Sequence, residues 1–378
     1  MKIAVFIPCL SRKSAGGAET YLLGIADMLS KTNDVTVFTL RNFTPGFNIN
    51  KIYSKYGVDS IKTKYLYYLP VGLRHPYIRI LSCFWLSCIA KFIDGKYDLF
   101  VNDNKTMLIA PHKTKSIHVI HFPEEPLTKT MNTVLTRKFD AKYLKSYSVL
   151  LPNSEFTNYW LKKFWGVQGT RVLNPIINIS EIDTAMIDKK DNLILAVDRL
   201  VPDKKIIEMI QAFKELLNLG IRNYTFLIIG NEDAKYSSYK EEIEHAIENY
   251  PINVMIGASN EELCHYYEKA KIFWHAKGLG VDESKPYEME HFGMTTVEAM
   301  ANGCVPIVID KGGQREIVDH GVDGFRWNTL EELVTYTKNI ILAPKMLHDL
   351  QIAAVDKSKI YSKKQFAEKI STVIKEVI

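Results

Sequence analysis

Residues 288–313 read EMEHFGMTTVEAMANGCVPIVIDKGG. The stretch holds a loop, a helix, a strand and a glycine turn in succession. Gly293 permits a sharp turn, and the helix predicted over Thr295–Ala301 stops at Asn302-Gly303. A strand follows over Val305–Asp310, closed by Gly312-Gly313. A short, continuously apolar run after a helix is a strand covered on both faces, and such strands belong to parallel sheets. Repeated units of this kind make an α/β chain.

The same alternation extends in both directions. Upstream in the second half, Asn192–Val197 is a strand, Lys205–Leu219 a helix, and Thr225–Ile229 a strand ending at Gly230. Ile252–Ile256 and Lys271–His275 are further strands. In the first half the strands are Lys2–Pro8, Val35–Leu40, Leu99–Asn102, Ser116–His121 and Val149–Pro152, with a helix over Ala18–Ser30. The last helix is expected over Ser362–Val377. A chain of 378 residues suits two domains of about 150–200 residues each. Asn174-Pro175 is the expected junction, because a proline biases its predecessor to extended backbone. The expected domains are 1–175 and 176–360.

The charge supports that division. The net +5 conceals a split. Residues 1–175 carry 24 Lys+Arg against 11 Asp+Glu, a net +13, whereas 176–378 carry 24 against 32, a net −8. Different partners for the two halves follow. With 47% apolar and 24% charged residues, the composition excludes disorder, collagen and a disulfide scaffold. Five cysteines without CxxC spacing fit reduced thiols and a cytoplasmic location better than a zinc site. The apolar runs Ile3–Leu10 and Ile80–Ala90 are too short for a signal peptide and a membrane span, respectively.

Open parallel sheets bind ligands beyond the carboxyl ends of their strands, so the residues just after strands carry the function. Gly16 and Gly17 open a helix after the first strand, and a helix N-terminus attracts phosphate; a plain strand–helix turn accounts for them as well, and they are not a GxGxxG motif. Arg199 and Lys204 stand five apart after Asn192–Val197 and suit a diphosphate, or form a solvated basic loop. Glu290 precedes the helix start, where Gly293 makes the turn and Met294, Thr295 and Thr296 are expected to offer amide donors, and Glu298 lies one helical stretch later, placed to grip a ribose diol. His121 closes its strand and is a candidate for the site; His118, three residues earlier, reads as a structural histidine.

These stretches resemble the retaining glycosyltransferases of family 4. The residues that carry the resemblance are Gly16-Gly17-Ala18-Glu19, Asn153-Ser154-Glu155-Phe156-Thr157, Asp198–Lys205, Gly257-Ala258-Ser259 and Glu290–Gly303, in the family's order over essentially the whole chain. The resemblance implies the GT-B architecture, two facing Rossmann-like domains with a cleft between them. It implies transfer of a sugar from a nucleotide sugar with its anomeric configuration kept. Arg199 and Lys204 match the pair that neutralises the donor diphosphate, Glu298 the ribose glutamate, and Glu290 a residue contacting the donor sugar. Gly17 matches a loop glycine near the diphosphate, and His121 a histidine near the reacting centre. Phe292 belongs to the same donor loop, and Ile256 and Gly257 stand where base selectivity is expected. Asp198 departs from the family, which usually has glycine; its side chain is expected to face away from the phosphates, or else the pocket is altered. By the same resemblance the last helix, from about residue 360 to 378, packs back onto the first domain.

No Asp-x-Asp motif is present, so no metal or other cofactor is expected. His121-Phe122-Pro123 and Glu290–Gly293 are similar to mannosyltransferases that act on lipid-linked oligosaccharides, which favours GDP-mannose as donor, with a UDP-hexose next. Residues 41–115 carry 12 Lys+Arg against 4 Asp+Glu, interleaved with aromatics as in Lys62–Pro70. That pattern suits an anionic membrane surface and a glycan or lipid-linked acceptor, with the protein peripheral on the cytoplasmic face. No nucleic-acid motif accompanies the charge. The alternatives are a catalytically silent sugar-nucleotide or glycan-binding protein, and another GT-B enzyme such as an epimerase.

Overall fold

The computed structural model describes residues 1–7, 10, 17–40, 49–55, 58–66, 88, 90–103, 111–123, 144–177 and 184–378. The chain divides into two compact units, Met1–Ile176 with Phe366–Ile378, and Ile177–Gln365.

The first unit runs β1 (Lys2–Phe6), α1 (Gly17–Ser30), β2 (Asp34–Leu40), α2 (Ile49–Lys55), β3 (Lys62–Leu66), β4 (Leu99–Asn102), β5 (Lys115–Ile120), β6 (Val149–Pro152) and α3 (Glu155–Trp165). Its six strands are parallel, in the order β3-β2-β1-β4-β5-β6. Successive β1 residues serve opposite faces. Ile3 and Val5 pack with α1, while Ala4 and Phe6 pack with Phe38, Phe100 and Leu161 of α3. This two-sided burial is why the strands read as unbroken apolar runs.

The second unit repeats the topology. Its strands are β7 (Asp191–Val197), β8 (Thr225–Gly230), β9 (Ile252–Ile256), β10 (Ala270–His275), β11 (Val305–Ile309) and β12 (Phe325–Trp327), all parallel in the order β12-β11-β10-β7-β8-β9. Its helices are α4 (Ile206–Asn218), α5 (Ser237–Ile247), α6 (Asn260–Lys269), α7 (Met294–Ala301), α8 (Gln314–Ile317), α9 (Leu330–Leu342) and α10 (Pro344–Ser358). In α4, Ile206, Met209, Ile210, Phe213 and Leu216 recur at helical spacing and are buried. Burying each such side chain contributes about 1.5–3 kcal/mol. Phe213 meets Phe226 and Trp274 of the sheet at ring centroids 5.6 and 6.5 Å apart. The chain ends in α11 (Lys363–Val377), whose Phe366, Ile370, Val373, Ile374 and Val377 enter the core of the first unit.

Both sheets are therefore doubly wound, and in each the strand order reverses beside the first strand. The reversal lies between β1 and β4 in one unit and between β7 and β10 in the other. In open sheets of this kind, ligands settle at such switch points.

Two strands escaped the sequence pattern. Lys62–Leu66 read as part of an interfacial patch, but it forms the edge strand β3, where exposed lysines discourage further pairing. Residues 67–87 of that patch lie outside the described residues. Phe325–Trp327 is only three residues long, too short for a periodic signal. Among the described residues, no helix is long and apolar enough to cross a membrane.

Candidate functional site

At the switch point of the second unit, β7 delivers Asp198 and β10 ends on His275. After Asp198 the chain makes a 3-10 turn over Pro202–Lys204, then places Lys205 at φ 60, a left-handed conformation that a non-glycine residue adopts at a cost. The turn carries Lys204 inward. Its side chain is buried and ion-pairs with Asp198 Oδ1 and, at 2.9 Å, with Glu290 Oε2. His275, 1% exposed, brings Nε2 to 3.5 Å from Glu290 and 3.9 Å from Asp198, with neither ring nitrogen aligned for a hydrogen bond. Burial works against both charged partners of the central pair. The attraction of Glu290 and Asp198 nevertheless holds the Lys204 ammonium above its usual range. Lys204 likewise holds the Glu290 carboxyl well below its own. Asp198, His275 and Glu290 together have the donor types of a divalent-cation site, but the Lys204 ammonium already bonds the two carboxylates.

The loop carrying Glu290 is fixed by the glycine turn after β11. Gly313 N–H donates to Glu290 O at 2.8 Å, and a Cβ on Gly312 would meet that same oxygen at 2.2 Å. Gly293, at φ 121, then starts α7; a Cβ there would strike Gln314 Nε2 at 2.7 Å. No side chain caps α7, so Met294 and Thr295, both half-buried, open the helix with amides free for a ligand. Glu298 accepts a hydrogen bond from Tyr267 Oη at 2.9 Å, and burial pushes its carboxyl up to about 7 despite that bond. At the next strand ends, Gly257 sits at φ 70 and donates its N–H to Gly230 O at 3.0 Å, while Ile256 is exposed.

The first unit presents a second group at its own switch point. Gly17 is the exposed first residue of α1, and Asp103 follows β4. His121 follows β5, and its Nε2 lies 3.0 Å from Asp103 Oδ2. The edge of Tyr21 packs on the imidazole at 5.7 Å, and Tyr21 Oη is anchored on Leu173 O at 2.6 Å. Thr157 Oγ1 donates to His121 O at 3.1 Å. Burial raises the Asp103 carboxyl although His121 draws it down. His118 lies within β5, buried beside Tyr147 and 3.4 Å from Asn102 Nδ2. Burial and the neighbouring His121 push it down to about 3, so it is a neutral structural histidine.

The structure thus joins Lys204 with Glu290, and sets Gly293, Met294, Thr295 and Glu298 on one turn and helix. Arg199 stands apart from Lys204: it is exposed and makes no ion pair among the described residues. Of the two alternatives for Asp198, the altered pocket is the one the structure supports: its side chain binds Lys204, because β7 ends there and the inward turn brings the ammonium to it. The Phe292 side chain is 2% exposed and packs on Tyr361 in the core, leaving only its backbone for a ligand. Gly16 lies outside the described residues. Asp103, His275 and Tyr267 were missed, although Asp103 and His275 stand at strand ends.

Residues 180–356 match the family described as Glycosyl transferases group 1. The chain is 25% identical over 282 residues to the human alpha-1,3/1,6-mannosyltransferase ALG2, covering 66% of this chain and 65% of the human protein. It is 30% identical over 178 residues to the lipopolysaccharide 1,2-N-acetylglucosaminetransferase of Salmonella typhimurium, covering 45% and 44%. The chain thus spans less than two thirds of the length of either curated relative. Among solved structures, Anabaena Alr3699/HepE in complex with UDP superposes with a TM-score of 0.77 at 17% identity, covering 100% of both chains. The architecture is the GT-B fold.

Proposed function

We propose, from the match of residues 180–356 to the Glycosyl transferases group 1 family and from the GT-B fold, that the chain is a retaining hexosyltransferase that uses a nucleotide-diphosphate sugar. The observation that carries this reading is the Lys204–Glu290 pair at the switch point, beside the uncapped start of α7. When the bond between the anomeric carbon and the β-phosphate oxygen breaks, negative charge grows on the leaving nucleoside diphosphate. An ammonium has three N–H donors, and two of those on Lys204 serve carboxylates. The third remains for a phosphate oxygen. Arg199 and the amides of Met294 and Thr295 share the developing charge. Glu290 accepts from a hydroxyl of the donor sugar, Glu298 from the ribose diol, and His121 contacts the sugar. The acceptor hydroxyl attacks from the side the phosphate leaves, and the departing phosphate takes its proton. No metal enters this scheme, since the Lys204 ammonium supplies the cation.

GDP-mannose is the favoured donor, in keeping with the similarity to the human mannosyltransferase; a UDP-hexose is the second reading, favoured by the fold's likeness to a UDP-bound structure. Thermal melting with GDP, UDP and their hexoses separates the two. A ligand at about 100 times its Kd stabilises the folded state by about 2.7 kcal/mol, so only the cognate base should raise Tm strongly. A flat response to every nucleotide would refute the transferase reading. The same experiment tests Glu298. It must be ionised to accept from the ribose diol, and its carboxyl titrates at about 7 when free. Nucleotide affinity should therefore fall as pH drops from 8 to 6, by up to about tenfold per unit below 7. Glu298→Gln should bind more weakly and lose that part of the pH dependence; an unchanged profile would remove Glu298 from the ribose role.

The acceptor is a glycan or a lipid-linked glycan, served by the basic first unit, with residues 41–115 on an anionic membrane surface. At low salt the protein should sediment with vesicles containing anionic lipid and be released by salt. Equal recovery with neutral vesicles would exclude this surface.

A further inference from the structure

We infer that Asp198 is a positioning residue that competes with the donor's diphosphate for Lys204, and so weakens retention of the nucleoside diphosphate product. This rests on the transferase reading above. Three observations carry it. First, among the described residues Lys204 is the only side-chain partner Asp198 has within hydrogen-bond distance, and the backbone N–H of Asp198 is already committed to Ile229 O at 3.0 Å. The side chain of Asp198 is only 7% exposed, so its carboxylate has little water to fall back on when the ammonium shifts. Second, Lys204 carries one positive charge against the two negative charges of Asp198 and Glu290. Glu290 alone would make this group neutral; Asp198 makes it net negative. A diphosphate arriving there meets a cation already more than neutralised. Third, the remaining wall compensates only in part. His275 lies beside the two carboxylates without an aligned hydrogen bond, and Lys277, whose charge helps to hold the Glu290 carboxyl down, is shared with Asp203, its Nζ 3.8 Å from Asp203 Oδ2.

The position is also fixed sterically. Gly230, on the adjacent strand β8, lies so close to Asp198 that a Cβ there would sit 1.9 Å from Asp198 O. The two strand ends are thus closely packed, and the bond from the N–H of Asp198 to Ile229 O ties residue 198 to β8. Charge at this one side chain thus sets how much of the Lys204 ammonium is left for a phosphate. Substrate and product share that phosphate group, so the same carboxylate loosens both. Its benefit lies in release: a tightly held product would occupy the site after each transfer.

Titration calorimetry of GDP and of UDP against the full chain tests this, using the wild type, Asp198→Asn and Asp198→Gly. Asparagine keeps a carbonyl oxygen for Lys204 and removes only the charge; glycine removes the side chain. Melting without ligand establishes that each variant is folded. Both variants should bind the cognate nucleoside diphosphate about tenfold more tightly, equal to about 1.4 kcal/mol, and the gain should shrink as salt is raised. In a Lys204→Met background the Asp198→Asn gain should fall below about threefold, since the competition requires the ammonium. Equal or weaker binding by the folded variants overturns the inference. So does a full gain in the Lys204→Met background, which would mean direct repulsion of the phosphate. If no form binds either nucleotide, the transferase reading itself fails and this inference goes with it, a result distinct from equal binding by all forms.

Discussion

Lys204→Ala should lower turnover by about 10³-fold or more. Removing one preorganised donor from a developing oxyanion typically costs about 10²–10³ in rate. Here the donor is a buried cation, so its field is less screened than that of an exposed lysine. The substitution has a second effect. It strands Asp198 and Glu290 as two buried carboxylates side by side, and removing one partner of a buried pair costs about 3–5 kcal/mol. Part of that cost is recovered when one carboxyl takes up a proton. The variant should therefore melt lower than the wild type at pH 8 and approach it as the pH falls toward the carboxylate range. Turnover must be compared below the melting temperature of the variant. Near-normal kcat in a folded Lys204→Ala protein would remove the residue from the diphosphate role. Lys204→Arg is not a conservative rescue, because a planar guanidinium cannot occupy the compact place of the ammonium.

If His121 contacts the sugar as proposed, His121→Ala should reduce kcat by about 10²-fold, within the range for a group beside a reacting centre. Its partner gives the sharper test. Asp103 holds Nε2 of His121 at 3.0 Å, and Tyr21 packs on the ring, so the imidazole is held from two directions. Asp103→Asn keeps the shape but exchanges a charged acceptor for a neutral amide. It should lower kcat by about tenfold with little change in KM, as expected when a second residue only orients the group in contact. The double variant should be no worse than His121→Ala alone, since Asp103 acts through His121. Additive losses would give Asp103 a separate role, and unchanged turnover in both single variants would remove this pair from the reaction.

The fold was legible because its strands are covered on both sides. Ile3 to Phe6 and Val305 to Ile309 are buried residue by residue, and an apolar run that short and unbroken suits a strand with both faces packed. The edges were harder. The lysines of β3, set among Thr63 and Tyr65, read as a charged patch rather than as a strand, and β12 is too brief to show a period. The loop and helix from Glu290 to Glu298 were legible for a different reason. Glu290, Gly293 and Glu298 sit within one short stretch, so local spacing carries their geometry. Asp103 and His275 depend on which strands become neighbours. Nothing local to β4 indicates that it lies against β1, or that β10 lies against β7. The same limit applies to Asp198. Its departure from glycine was visible, but the direction of its side chain depends on the turn that brings Lys204 back to it.

The terminal helix gives the chain an unusual order of assembly. The unit that begins with Met1 is completed only by Phe366–Ile378, whereas the other unit is contiguous from Ile177 to Gln365. On the ribosome, the part synthesised first must therefore wait longest for its last core residues. Until Phe366, Ile370 and Val373 emerge, one face of its sheet lacks the cover they provide. The later-made unit can close its core before the earlier one does. The exposed face of the unfinished sheet is then the stage at which a nascent chain is open to misassembly, and the arrival of Phe366–Ile378 ends that exposure.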